Sequence, residues 1–124
     1  MNTSVLCASL KEWFNNLPKD HSMPVKRPIV LIPKTSILYD EEAERYYFMN
    51  PKGHKQFGLV VFINDHQYLL WFLPLRLTLQ EIEYLAQNNY PFEIKMITTQ
   101  RYQEISNEYS QGVSKFNDPL EESL

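Results

Sequence analysis

The sequence predicts a single α+β domain, with an antiparallel β-meander sheet and about three helices packed against it. Three observations carry this expectation. Two nearly continuous apolar runs, Phe57–Ile63 and Tyr68–Leu73, flank the polar stretch Asn64-Asp65-His66-Gln67, the pattern of two strands joined by a hairpin turn. Upstream, Asn50-Pro51-Lys52-Gly53 places Pro and Gly as a type I turn requires and joins a third strand, Tyr46–Met49, to the first run. Helical patterns at both ends and after the meander complete an order that describes one antiparallel sheet with helices against it.

Taken in order, Ser4 can cap a first helix whose apolar positions Leu6, Leu10, Trp13, Phe14 and Leu17 follow helical spacing, and Pro18 ends it. Lys19–Arg27 reads as a loop. Pro28-Ile29-Val30-Leu31-Ile32 is a short strand, and the prolines bounding it suit an edge position. Ser36–Tyr39 and Arg45–Met49 flank the acidic stretch Asp40-Glu41-Glu42-Ala43-Glu44, which fits either a hairpin loop or a short helix. Strands apolar at nearly every position, as in Phe57–Ile63, are buried on both faces or keep an aromatic surface on one. Thr78-Leu79-Gln80-Glu81 has the form of a capping box, opening a helix with Leu79, Ile82, Leu85 and Ala86 inward and Asn88-Asn89 at its end. Pro91 leads into the alternating strand Phe92–Thr98. Thr98 or Thr99 caps a last helix with Tyr102, Ile105 and Tyr109 inward and Gly112 as its stop. The domain is expected to span residues 1–112, with 113–124 a loosely ordered tail.

Composition narrows the function classes. At 124 residues the chain has the length of one domain with a sizeable core. Only three Gly stand against eight Tyr, seven Phe and two Trp, so no glycine-rich phosphate cradle is present, and aromatics in excess of the core favour protein recognition. A lone Cys rules out an internal disulfide. The absence of a signal-peptide pattern and of any apolar run of membrane-spanning length points to a cytoplasmic protein. The net charge is −3, and from Arg76 onward eight acids face four bases. That balance disfavours nucleic acid as the main partner and tolerates a basic protein.

Individual residues offer little chemistry. Cys7 lies on the apolar stripe of the first helix, the place of an inert core cysteine rather than a nucleophile. His21, His54 and His66 fall in three separate loops without metal-ligand spacing. Glu93-Ile94-Lys95 on a strand has the E-x-K form of metal-dependent nucleases, with Asp65 or Asp40 as the upstream acid. An alternating ion pair on an exposed strand face is the simpler account. The acidic run at Asp40, Glu41, Glu42 and Glu44 lacks the glycine and spacing of a calcium loop. It suits a surface that meets a basic partner. If Tyr46 and Phe48 share one face of their strand, Tyr47 lies on the other, where it could stack on a protein or on single-stranded nucleic acid.

Together these readings favour a small non-catalytic protein-binding module of inhibitor, immunity, anti-defence or accessory-subunit type, needing no cofactor or metal. The contact surface is expected to draw on Asp40, Glu41, Glu42, Glu44, Glu83, Glu104, Glu108 and Tyr47. A metal-dependent nuclease using Glu93 and Lys95, or an aromatic-faced nucleic-acid binder, are the alternatives.

Overall fold

The computed structural model describes residues 3–20 and 22–120, with side chains from Ala8 onward. The expectations for the side chains of Ser4 and Cys7, for His21 and for residues 121–124 lie outside this range. Among the described residues three α-helices and seven strands follow in the order α1 (Thr3–Asn15), β1 (Lys26–Pro33), β2 (Leu38–Asp40), β3 (Arg45–Met49), β4 (Lys55–Ile63), β5 (His66–Trp71), α2 (Leu75–Gln87), β6 (Glu93–Thr98), α3 (Thr99–Ser110) and β7 (Lys115–Pro119). The strands form one open sheet in the order β2-β3-β4-β5-β1-β6, and β7 pairs with β4. This is the α+β meander architecture.

Local chemistry explains the meander. The β3–β4 turn has Gly53 at φ 81°, and Asn50 closes it by accepting from the Lys52 and His54 amides through its side-chain oxygen. Between β4 and β5 the loop is two residues, Asn64 and Asp65, at φ 50° and 64°. Paired positive φ values are the twist-matched solution for such a hairpin, and Asn and Asp tolerate them best after Gly. The acidic stretch resolves as a hairpin turn: Asp40 pairs with Arg45, Tyr39 with Tyr46 and Leu38 with Tyr47.

Other elements depart from the sequence reading. β1 is interior, flanked by β5 and β6, rather than an edge. Its prolines are tolerated because each sits where the strand has one neighbour: Pro28 pairs only with β6 and Pro33 only with β5. Helix α2 begins at Leu75, with Pro74 at its N-cap, so Thr78 is not a cap. The Thr78 hydroxyl, buried inside the helix, donates back to the Pro74 carbonyl at 3.1 Å. At α3 the cap is Thr98, whose hydroxyl oxygen accepts from the Arg101 amide. The segment read as a loose tail supplies β7. The Val60 amide donates to the Ser114 carbonyl and the Leu120 amide to Phe62, and Leu120 is buried.

Strand β4 is the spine of the sheet. Its first half, Lys55–Gly58, pairs with β3, and its second half pairs with β5 on one side and in parallel with β7 on the other. Gly58 marks the crossover. A Cβ there would stand 2.4 Å from the Leu70 carbonyl oxygen, so only glycine lets the two backbones approach this closely.

Alternation along the strands builds two cores. On one face Val30, Ile32, Phe48, Val60, Leu69 and Trp71 pack under Leu10 of α1 and Ile82 and Leu85 of α2. On the other, Ile29, Leu31, Leu59, Val61, Leu70 and Ile97 pack under Tyr102 and Ile105 of α3 and Leu120. The sheet is therefore covered by two helices on one face and by one on the other. Arg27 is buried beside the second core. Its guanidinium stacks 3.8 Å from the Tyr102 ring centroid and donates to the Leu73 carbonyl at 2.9 Å. Burial lowers the Arg27 pKa and raises that of Tyr102.

Candidate functional site

Helix α3 covers only part of its face. The pairings Leu38 to Tyr47, Tyr47 to Phe57 and Met49 to Lys55 place these side chains on the face of Leu59, the α3 side. Yet among the described residues Leu38, Tyr47, Met49 and Phe57 belong to neither core. Leu38 is 47% and Met49 38% exposed, whereas Tyr47 and Phe57 are half-buried against each other, ring centroids 5.7 Å apart. The result is a bare apolar strip across β2, β3 and the first half of β4.

Charges lie on the strip and around it. Asp40 and Lys55 form a 2.8 Å ion pair on the strip, and the Lys55 ammonium stands 4.8 Å from the Tyr47 ring centroid. The hydrogen bond from Lys55, seconded by the Ala43 amide, holds the Asp40 carboxyl below the usual carboxylate range. Beyond Asp40 the carboxylates of Glu41, Glu42 and Glu44 are exposed. Arg45 closes the side toward α3. Its guanidinium donates to the Tyr109 carbonyl at 2.9 Å and to Val113 at 3.4 Å, and stacks 4.0 Å from the Tyr109 ring. It thereby satisfies a carbonyl at the helix C-terminus and favours the negative end of the dipole. Lys52 in the β3–β4 turn is directed away from the strip, to the Tyr84 ring of α2 on the opposite face of the sheet.

The acidic residues expected to form one surface are thus divided. Asp40, Glu41, Glu42, Glu44 and Tyr47 lie together on the β2–β3 hairpin. Arg45 ties that hairpin to the end of α3, where Glu108 is exposed. Glu104 is one turn back on α3, ion-paired with Arg101 at 3.1 Å. Glu83 is on α2, on the opposite side of the sheet, half-buried in a groove of about 460 Å³ with Lys52 and Tyr84 and 3.9 Å from Lys11. A common surface from the outer faces of α2 and α3 does not exist, because the two helices cover opposite faces of the sheet. Leu38, Met49 and Phe57 did not stand out from the sequence as candidate surface residues. Their apolar character at alternate strand positions was visible, but which sheet face lacked a helix was not.

The nuclease residues sit elsewhere. Asp65 and Glu93 line one cleft of about 520 Å³, together with Lys34, His66 and Tyr68. Glu93 accepts a 2.8 Å hydrogen bond from the Tyr68 hydroxyl, which raises the phenol's pKa. Lys95 does not line the cleft. Among the described residues no group of three or more His, Cys, Asp and Glu is placed to hold a metal ion. No helix among them is long and apolar enough to cross a membrane. Comparison with family models, curated proteins and solved structures finds no significant match to this chain.

Proposed function

We propose that this protein acts by binding another protein, and that the contact is centred on the bare strip of the sheet. The observation that carries the reading is that Leu38, Tyr47, Met49 and Phe57 share one sheet face yet join neither core. Apolar and aromatic side chains clustered at the surface and rimmed by charge suit protein contact. Three exposed carboxylates beside the strip oppose a polyanion and favour a basic partner. The reaction chemistry of the Glu93 cleft has no comparable support. The test is the double substitution Leu38→Asp with Met49→Asp, which places charge on the strip but leaves both cores untouched. Proteins retained by the wild-type chain from its own cell should be lost by this variant at an unchanged melting temperature. Equal retention of the same proteins by both would overturn the proposal.

A further inference from the structure

We infer that the strip receives an amphipathic α-helix contributed by a partner protein, with its basic residues set toward the Asp40–Glu44 turn. This deepens the protein-binding reading and rests on it. A sheet face normally buries itself against another layer, and here one layer is half built. On the α1–α2 side Phe48 is covered, packed against Trp71 and Tyr90 at centroid distances of 5.1 and 5.6 Å. On the α3 side the helix ends at Ser110, where Arg45 grips the Tyr109 carbonyl. Leu38, Tyr47 and Phe57 continue that face as a straight cross-strand row with no helix above them among the described residues.

The dimensions suit one helix. Three strands at a spacing of about 4.8 Å make a strip roughly 14 Å wide, against a helix diameter of about 10–12 Å. The five residues of β3 run about 17 Å at the usual rise, the length of roughly eleven helical residues. Strand addition is the weaker alternative, because β2 is three residues long and edge strands this short resist pairing.

Charge sets the chemistry and the direction. The cations on the strip are already engaged, Lys55 with Asp40 and Arg45 with the α3 carbonyls. The charge left over at the hairpin turn is that of Glu41, Glu42 and Glu44, joined by Glu108 near the Arg45 clamp. Lys and Arg on the occupant would meet these carboxylates, and the positive end of its dipole is favoured there too.

A benzophenone amino acid placed at Met49, and in a second version at Leu38, tests this by photo-crosslinking in the cell that makes the protein, with Gln103 on the exposed face of α3 as control. The expected result is at least about ten-fold more product at the strip than at Gln103, with the cross-linked partner peptide mapping to an amphipathic helix that carries Lys or Arg. A cross-link into an extended or loop segment of another protein overturns the helix while leaving the protein-binding reading intact. Cross-linking to a second copy of this chain makes the strip a self-association face and overturns the partner helix. No protein product at either strip position overturns both.

Discussion

Gly58→Ala should weaken the fold at the junction that aims the β2–β3 hairpin. The added methyl would stand 2.4 Å from the Leu70 carbonyl oxygen and 3.0 Å from Leu69 Cγ. Ordinary van der Waals contact between heavy atoms begins at about 3.5 Å, so β4 and β5 must part by roughly 1 Å. Overpacking of this kind costs about 1–3 kcal/mol. Removing a glycine from the unfolded chain returns only about 0.4–1 kcal/mol. The net expectation is a loss of about 1–2 kcal/mol, because the obstructing atom is backbone and cannot rotate away. Urea titration followed by tryptophan fluorescence should show a lower midpoint at an unchanged slope, and the melting temperature should fall by roughly 4–8 °C. A midpoint equal to or above wild type would refute the close-approach account of Gly58.

Three further outcomes follow from the same geometry. Val61 is fully buried in the core under α3, so Val61→Asp should abolish the cooperative transition by burying an unpaired charge; a normal melting curve would displace it from the core. Reversing Glu41, Glu42 and Glu44 to Lys should slow association with the partner, an effect that fades at high salt, whereas Glu83→Lys should leave the rate unchanged; the opposite ranking would move the interface to α2. The Asp40 carboxyl is held low by Lys55, so its contribution is present above the unfolded value of about 3.9 and is lost as pH falls through the lower folded value. Asp40→Asn should therefore remove part of the acid dependence of stability, and an NMR titration of Asp40 with an ordinary midpoint would contradict the pairing.

Turn chemistry and alternation make much of the sheet legible in the sequence. Asn64-Asp65, Asn50–Gly53 and the β3–β4–β5 pairing all depend on neighbours in sequence, and local propensity suffices there. The placement of β1 was not legible, because flanking prolines signal an edge unless the offset of β5 and β6 is known. The start of α2 was missed because Thr78–Glu81 fits a capping box, while Leu75, Arg76 and Leu77 extend the helix a turn earlier with no side-chain cap. β7 has no strand pattern of its own and exists because β3 leaves half of β4 unpaired. The candidate site followed the same division. The acids of the hairpin turn could be named from the sequence, but their separation from Glu83 is a fact of layer topology, as is the vacancy beside α3.

Whether the bare strip is the contact surface can be read directly by spectroscopy. The chain carries four methionines; Met49 lies on the strip, Met23 is exposed outside it and Met96 is on β6. Methyl-labelled methionine spectra recorded while the partner is added therefore report on separate parts of the molecule at once. The Met49 methyl is expected to shift or broaden on binding while those of Met23 and Met96 stay in place. Binding that perturbs Met23 or Met96 and leaves Met49 unmoved would contradict it.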